Sequence, residues 1–285
     1  MVKDLLSTGK PTLSFEVFPP KKDADFDSAY ATLDALSALQ PDFISVTYGA
    51  GGSKSKKTLE IASYIQNKLH IEALAHLTCV GSKKEDILSI AEQLSSHGIN
   101  QVLALRGDRP RDMTDEQFLA RDFAHASDLI TFLHEETPLR CAGACYPEKH
   151  FECFSKETDL LNLKRKQDAG AEFFITQLFF DNDYFYDFCD KAAKKGITVP
   201  VCAGIMPVTS ASQLGTTISL SGSSIPKAFS DLIATYGDNP EDMRKAGIDY
   251  AIRQIIDLRA NGANDIHLYT MNKPKMAAEI VNGIR

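Results

Sequence analysis

Short apolar runs recur along the 285-residue chain, and longer segments of mixed polarity separate them. Runs of this length, rich in β-branched and aromatic residues, are typical of buried strands. Most runs carry a polar or ionisable residue at or near their C-terminal end, such as Glu16, His76 and Asp108. The eight runs are Leu13–Phe18, Phe43–Tyr48, Ala73–Val80, Val102–Asp108, Cys141–Tyr146, Phe173–Phe180, Val199–Pro207 and Ile266–Thr270.

The segments between the runs carry apolar residues at helical spacing. Within Phe26–Leu39, for example, they recur at steps of three and four, which predicts an amphipathic helix. Gly98, Gly170 and Gly196 stand where such helices should end, and glycine commonly terminates a helix. The predicted helices are Phe26–Leu39, Lys57–Leu69, Lys84–His97, Ala124–Glu136, Thr158–Ala169, Asp183–Lys195, Ser210–Leu220, Pro226–Tyr236, Pro240–Ala260 and Lys273–Gly283.

Strand and helix alternate eight times, without an internal repeat, a linker or a shift in composition. This alternation predicts parallel strands joined by right-handed crossovers, and eight units favour a closed barrel over an open sheet. No G-x-G-x-x-G follows the first run, which argues against a Rossmann fold. We therefore expect one α/β domain over residues 1–285, a (β/α)8 TIM barrel with extra helices after the seventh strand.

Composition and charge argue against some classes of binding partner. The net charge of −7 argues against a nucleic acid, whose phosphates favour a basic surface. No apolar run approaches the roughly 20 residues that cross a bilayer. The first residues, Met1–Leu13, lack the apolar region of a signal peptide. We therefore expect a soluble, cytoplasmic protein that binds neither membrane nor nucleic acid.

The six cysteines form no C-x-x-C pair, and four of them lie in or beside apolar runs. This distribution favours buried free thiols over disulfides or a zinc site. His76 has no His, Asp or Glu at metal-ligand spacing, so no metal site is predicted.

In a barrel of this kind, the chemistry lies at the C-terminal ends of the strands. Glu16 stands near the end of the first run, among two phenylalanines and a valine. Burial disfavours the charged form of a carboxyl, and an acid that keeps its proton near neutral pH suits general acid catalysis. A structural glutamate paired with a basic neighbour is an equally good interpretation.

Two turns at the ends of apolar runs are also candidate ligand-binding sites. Gly107 would let the backbone approach a ligand, although Arg106 and Asp108 on either side of it would equally close a turn by an ion pair. The glycine-rich segment Tyr48–Lys54 does not match a phosphate-binding loop, because Ser53 precedes Lys54. The helix that follows it would still offer N-terminal amides to an anion.

Three further polar residues have two interpretations each. His76 lies in an apolar strand. A histidine in such a strand is more often a core residue with satisfied hydrogen bonds than a residue that binds a ligand. His150 is expected to be exposed on a loop and free to meet a ligand. Gln177, in a hydrophobic strand, must satisfy its amide against neighbouring backbone or against the edge of a heterocycle.

Eight segments together resemble the methylenetetrahydrofolate reductase family, in the family's order and over essentially residues 14–272. The resemblance implies a barrel that binds FAD and uses NADH or NADPH to reduce 5,10-methylenetetrahydrofolate to 5-methyltetrahydrofolate, in a ping-pong sequence through the reduced flavin. The chain has the length of the catalytic domain alone, as in bacterial relatives, which favour NADH and form homo-oligomers. The segments are SFEVFPPK, SVTYGAGGS, HLTC, LALRGDRP, CYPEKH, LLNLKRKQDAGAEFFITQLFFD, AGIMPV and HLYTMN.

The resemblance also implies roles for individual residues. Glu16 matches the catalytic acid of the family, and Asp108 matches an aspartate that stabilises the iminium cation formed when the folate ring opens. Gln177 and Gln213 match amides that contact folate, and Thr47 and Gln177 also lie near nicotinamide. The residues implied to bind FAD are Tyr48, Ala50, His76, Arg106, Gly107, Asp108, Ala126, Tyr146, His150, Asp159, Asn162, Arg165 and Lys166. The last three belong to what we expect to be a basic helix start that meets the pyrophosphate or ribose.

Three positions depart from the family pattern, and one of them is His125, where a tyrosine is common. Lys273, which we include among the substrate-binding residues, replaces an arginine of a relative and lacks its forked donors. Thr217 stands where some relatives carry a phenylalanine that stacks on the substrate, a contact that is lost here or made by Ile218.

Other functions remain as alternatives. A different flavin-dependent barrel oxidoreductase would share the fold, and a non-catalytic subunit would take up no FAD. A Schiff-base aldolase is disfavoured because no run carries an internal lysine. The sequence leaves open NADH, NADPH or a protein as the electron donor.

Overall fold

The computed structural model describes residues 1–48, 52–110 and 112–285. Eight parallel strands form a closed barrel in chain order, with β1 paired to β8. The predicted (β/α)8 fold is confirmed. The strands are β1 Thr12–Val17, β2 Phe43–Val46, β3 Glu72–Thr78, β4 Gln101–Leu105, β5 Arg140–Cys145, β6 Ala171–Thr176, β7 Val201–Ile205 and β8 Asp265–Tyr269.

The C-terminal ends of the strands meet at one rim of the barrel, because all the pairings are parallel. Several predicted runs continue beyond their strands at this rim. The run Phe173–Phe180, for example, leaves the sheet after Thr176. The apolar residues at its end pack under the helices that follow β7 rather than in the barrel wall.

All ten predicted helices are present, with shifted ends. The predicted helix Lys57–Leu69 consists of the end of one α-helix and a π-helical turn at Tyr64–Lys68. Two five-residue helices were not predicted, because so short a segment shows no amphipathic period. The α-helices are α1 Val2–Leu6, α2 Phe26–Ser37, α3 Gly52–Ser63, α4 Lys84–Ser96, α5 Asp115–Leu119, α6 Ala126–Glu136, α7 Lys156–Asp168, α8 Asn182–Lys194, α9 Ala211–Ser221, α10 Lys227–Tyr236, α11 Pro240–Ala260 and α12 Pro274–Ile284.

Alternate residues of each strand face opposite sides of the barrel wall. One set, which includes Phe15, Ile44 and Ala75, packs with the helices in the largest core cluster. The other set faces the barrel interior. The apolar residues that fill the interior are Phe43, Leu74, Leu103, Ala142, Phe173, Ile175 and Cys202, together with two from α1.

Helix α1 closes the N-terminal end of the barrel. Its residues Val2 and Leu6 are 0% and 6% exposed and belong to the interior cluster. The backbone N–H of Val2 donates to Oε1 of Gln101 at 3.0 Å, and the Gln101 amide donates to Glu72. Apolar packing therefore fills this end and leaves the C-terminal rim for polar side chains.

Helices α9, α10 and α11 follow β7, as predicted, and bury Leu214, Phe229 and Met243 against residues beyond β6. Gly247 of α11 touches the loop after β7. A Cβ on Gly247 would lie 1.9 Å from the carbonyl oxygen of Val208, so glycine is required for this approach. The loop after β7 is thereby held close against α11.

The six cysteines are free thiols, and Cys79, Cys141, Cys145 and Cys202 are buried, as expected. Burial raises the pKa of Cys141 to about 12, which disfavours the reactive thiolate. In the described parts of the chain, no helix combines the length and the apolar character that crossing a membrane requires.

We expect the Leu6→Ala variant to lower the free energy of unfolding by about 3 kcal/mol, because it leaves a cavity at the closed end of the barrel. Urea denaturation monitored by circular dichroism measures this change. Asp4→Ala, an exposed change on the same helix, is the control and should alter stability by less than about 0.5 kcal/mol. Equal effects of the two variants would mean that α1 does not support the barrel.

Candidate active site

The structure places several of the predicted site residues at the C-terminal rim. Glu16 and His76 lie near the C-terminal ends of β1 and β3, whereas Arg106, Tyr146 and Gln177 each follow the last residue of a strand. The rim therefore collects side chains that lie far apart in the sequence. Among them, three groups are joined by direct contacts.

The first group surrounds Glu16. Its carboxylate oxygen Oε2 lies 3.4 Å from Nε2 of His76 and 3.8 Å from Nε2 of His267. The side chain of Glu16 is 20% exposed, so the carboxyl is mostly removed from water but still reachable from the rim. Glu16 thus has two basic neighbours, as the structural interpretation expected, and an opening, as the catalytic interpretation requires.

His76 does not have the satisfied hydrogen bonds expected of a core histidine. Its ring is buried, yet Nε2 has no partner with hydrogen-bond geometry, although Glu16 is nearby. Burial lowers the pKa of His76, while the Glu16 carboxylate acts in the opposite direction. A buried nitrogen without a hydrogen bond is costly, and its place at the rim suggests a ligand as the missing partner.

His267 is the neighbour of Glu16 that the sequence interpretation missed. It is fully buried in the barrel, with Nδ1 at 2.7 Å from Oγ of Ser14 and Nε2 at 3.2 Å from Oγ of Ser45. The segment HLYTMN contained it, but nothing in that segment indicates which residue it faces. Barrel closure decides this, because β8 pairs with β1.

The second group is centred on Arg106. Its guanidinium binds both carboxylate oxygens of Glu152, at 2.5 and 3.1 Å. This hydrogen-bonded pair raises the pKa of Arg106 and lowers that of Glu152. The interpretation that an ion pair between Arg106 and Asp108 closes the turn is therefore wrong.

Gly107 and Asp108 form the exposed part of the same turn. Gly107 has φ of +83°, and a Cβ there would lie 2.9 Å from side-chain atoms of Thr78 and Val80, so the position requires glycine. Asp108 is exposed, and its carboxylate has no hydrogen-bond or ion-pair partner among the described residues. It still lies close enough to raise the pKa of Arg106 slightly further.

His150 is half-buried rather than exposed, contrary to the prediction. Its ring packs edge-on against Tyr146 at 4.7 Å and stacks on Phe151 at 4.8 Å. Its backbone N–H donates to the Asp159 carboxylate at 3.0 Å, and desolvation lowers the pKa of its ring. The loop after β5 is therefore an ordered, aromatic wall of the site.

Asn162, Arg165 and Lys166 lie in the second half of α7, so the expected basic helix start is wrong. The helix begins six residues earlier, at Lys156, where Ser155 caps it. Lys166 turns back to the barrel and donates to the carbonyl oxygen of Ala144 at 2.7 Å. Desolvation lowers its pKa, and its ammonium lies 5.8 Å from the Tyr146 ring. Arg165 remains exposed and donates to Asn162.

The third group joins the loops after β7 and β8. Oε1 of Gln213 accepts from the backbone N–H of Thr209 at 3.2 Å, and Nζ of Lys273 donates to the Thr209 hydroxyl at 3.3 Å. The two predicted substrate residues are thus linked through Thr209. Thr217 is buried and donates to the carbonyl of Gln213, so it cannot replace a stacking phenylalanine.

The remaining predicted residues have separate positions. Gln177 accepts a hydrogen bond from the backbone of Leu178 through its amide oxygen, which matches the interpretation as a locally satisfied amide. Thr47 and Tyr48 follow β2 and are half-buried, and Ala126 begins α6. Ala50 lies outside the described residues.

Comparison with known proteins identifies the family. The family model for methylenetetrahydrofolate reductase matches residues 1–285. The chain belongs to the methylenetetrahydrofolate reductase family. The 5,10-methylenetetrahydrofolate reductase of Escherichia coli (strain K12) is 35% identical over 279 residues, covering 97% of this chain and 92% of that protein.

Methylenetetrahydrofolate reductase (NADH) 1 of Arabidopsis thaliana is 34% identical over 293 residues, and this chain spans 49% of its length. Among solved structures, a Clostridium thermocellum protein described as binding two copies of 5-methyl-5,6,7,8-tetrahydrofolic acid superimposes with a TM-score of 0.72 over 99% of this chain and 98% of its own. At 16% identity, that likeness supports the barrel fold alone.

Proposed function

We propose that this chain is a flavin-dependent oxidoreductase that reduces 5,10-methylenetetrahydrofolate to 5-methyltetrahydrofolate with electrons from NADH, and that residues 1–285 form one catalytic domain. The reaction is inferred from membership of the family. Among the described residues, the observation that best supports it is the mostly buried Glu16 carboxyl at the rim, beside two histidines. An acid in this environment suits a reaction in which a ring must be opened by protonation.

The residues around the rim fit FAD. Nε2 of His76 is buried without a hydrogen-bond partner, which a polar edge of the flavin would supply. Arg106 and Lys166 bring two basic side chains near Tyr146, and a pyrophosphate would compete with Glu152 for the Arg106 guanidinium. The rings of Tyr146 and His150, which pack edge-on against each other, add aromatic surface beside these two basic side chains. We therefore infer that these residues, with Asp159 and Asn162, hold the cofactor.

A bound FAD would supply the hydride chemistry, taking a hydride from NADH and later giving one to the folate. The protein's own contribution is orientation and charge. Thr47 and Gln177 stand at the ends of β2 and β6, where they would orient nicotinamide or pterin. Gln213 and Lys273, linked through Thr209, would contact the rest of the folate.

Glu16 would act as the general acid. Opening the five-membered ring of methylenetetrahydrofolate breaks a C–N bond and leaves an iminium cation, so the departing nitrogen needs a proton. Glu16 can provide it from a site that is only 20% exposed, where water competes poorly. General acid catalysis typically contributes ~10²–10⁴-fold.

Asp108 would stabilise the cation. Its carboxylate is exposed at the rim and has no partner among the described residues, so its negative charge is available to a ligand. A fixed negative charge near a developing positive one lowers the energy of the transition state. Glu16 and Asp108 thus have opposite tasks, because one gives up a proton and the other stays ionised.

The visible spectrum of the purified protein tests this function directly. We expect bound flavin that is bleached anaerobically by NADH and whose absorption returns on addition of methylenetetrahydrofolate. Parallel titration with NADPH tests the choice of nucleotide. Bleaching without return would indicate another electron acceptor. A protein that takes up no FAD would contradict the proposal.

We expect Glu16→Gln to keep FAD and its reduction by NADH, and to slow reoxidation by methylenetetrahydrofolate by ~10²-fold or more, because glutamine cannot donate the proton. Stopped-flow absorbance of the two half-reactions measures this difference. Asp265→Asn, which alters a carboxyl at the opposite end of β8, is the control and should leave both rates unchanged. If Glu16→Gln slows both half-reactions equally, Glu16 is not the general acid for the folate.

We expect Asp108→Asn to slow reoxidation by methylenetetrahydrofolate by about 10-fold, because the cation loses its counter-charge. It should also raise the flavin reduction potential, since removal of a nearby negative charge favours the electron-rich cofactor. Spectroelectrochemistry and stopped-flow measure the two effects. Asp112→Asn, an exposed change in the same segment, is the control. If neither the potential nor the rate changes, Asp108 has no role in the reaction.

A further inference from the structure

The Arg106 guanidinium is held by two neighbours. Nε donates to the carbonyl oxygen of Gly107 at 3.1 Å, and the two terminal nitrogens donate to the Glu152 carboxylate at 2.5 and 3.1 Å. These bonds use three of the five N–H groups of the side chain. A bidentate, charge-assisted pair of this kind is among the strongest hydrogen-bonded contacts in proteins.

The two members of the pair differ in how firmly they are held. The Arg106 side chain is 19% exposed and is tied to the turn at Gly107, whereas the Glu152 side chain is 46% exposed. The backbone N–H of Glu152 donates to Nδ1 of His150 at 3.1 Å, which fixes the main chain at this point. The Glu152 carboxylate can therefore turn into water without a change in the loop, while Arg106 stays in place.

Glu152 is the main counter-charge of Arg106. Its hydrogen bond is the largest influence on the pKa of Arg106, which it raises, and the charge of Asp108 is a smaller one. The same bond lowers the pKa of Glu152, so this carboxyl is ionised at neutral pH. A mostly buried guanidinium is costly without an anion beside it, so a group that displaces Glu152 must itself be negative.

A phosphate is such a group. Carboxylates and phosphates bind a guanidinium through the same forked arrangement of N–H groups, so one face of Arg106 binds one or the other. Lys166, the other basic side chain near Tyr146, donates instead to the carbonyl oxygen of Ala144. A phosphate can approach Lys166 without displacing an anion, whereas at Arg106 it must replace Glu152.

We propose that Glu152 is an internal competitor of the cofactor, whose carboxylate occupies the face of Arg106 that a phosphate of FAD binds and turns into solvent when FAD is held. This inference rests on the proposed function, because it needs Arg106 to bind FAD. It adds that the affinity for FAD is set by the exchange of one anion for another at Arg106.

The affinity of the protein for FAD tests the exchange without turnover. Flavin fluorescence measures it as FAD is titrated into protein from which the cofactor has been removed. We expect Glu152→Gln to bind FAD about fivefold more tightly, because a neutral amide competes less well for the guanidinium. Glu157→Gln, which removes the same charge from the first turn of α7, is the matched control and should leave the affinity unchanged.

The salt dependence of FAD binding gives a second readout. In the unmodified protein, one ion pair of Arg106 breaks as another forms, so salt should have little effect through this contact. In Glu152→Gln, the phosphate gains an ion pair and none is lost, so binding should weaken more steeply as salt is added. Equal salt dependence of the two proteins would overturn the inference.

A double-mutant cycle shows whether the effect passes through Arg106. In an Arg106→Gln background, Glu152→Gln should leave the affinity for FAD unchanged. A gain that persists in that background would overturn the inference, because it would reflect only the removal of negative charge. Weaker binding of FAD by Glu152→Gln alone would also overturn it, since Glu152 would then hold Arg106 in position for the cofactor.

Glu152→Asp covers the case in which Glu152→Gln fails to fold. It keeps the charge but shortens the side chain, which weakens the bidentate contact, and it should give a smaller gain in affinity in the same direction. If the unmodified protein binds no FAD, the proposed function fails. If that protein binds FAD and reduces the folate, but neither variant binds FAD more tightly, the inference alone fails.

Discussion

Closure of the barrel by pairing of β1 with β8 is the constraint on which the site depends. This pairing sets Glu16 opposite Tyr269 and brings His267 within 3.8 Å of its carboxylate, although about 250 residues separate the two strands in the chain. The adjacent strands β2 and β3 contribute Ser45 and His76. Without closure, β1 would be the edge strand of an open sheet, and His267 on β8 would not lie beside the carboxyl.

The two ends of the barrel differ in polarity, since one is packed with apolar side chains and the other carries the polar side chains of the candidate site. Apolar side chains from six strands and α1 fill the N-terminal end, which holds the wall rigid. At the C-terminal end, a partly buried carboxyl, an unpaired imidazole nitrogen and two cations are supported by this packing. The cations of this end lie near Tyr146, where Glu152 binds Arg106 and the carboxylates of Asp108 and Asp159 are also close.

The fold was predictable because it depends on local periodicity, and the alternation of apolar runs with amphipathic segments specifies eight parallel strands. The rim residues were predictable for the same reason, since a strand end is a sequence feature. The partners of those residues were not. Glu152 pairs with Arg106 across two loops, and Lys166 reaches the barrel from the end of α7 rather than from its start. Such contacts depend on how distant segments meet in space, which no local pattern encodes.

A crystal structure of the FAD-loaded protein with 5-methyltetrahydrofolate tests the central claim most directly, namely that Glu16 is the acid at the mouth of a flavin-binding barrel. We expect the flavin against Tyr146 and His76, with the Glu16 carboxyl within hydrogen-bond reach of the folate nitrogen that departs during ring opening. A folate bound with that nitrogen remote from Glu16, and another acidic group in its place, would contradict it.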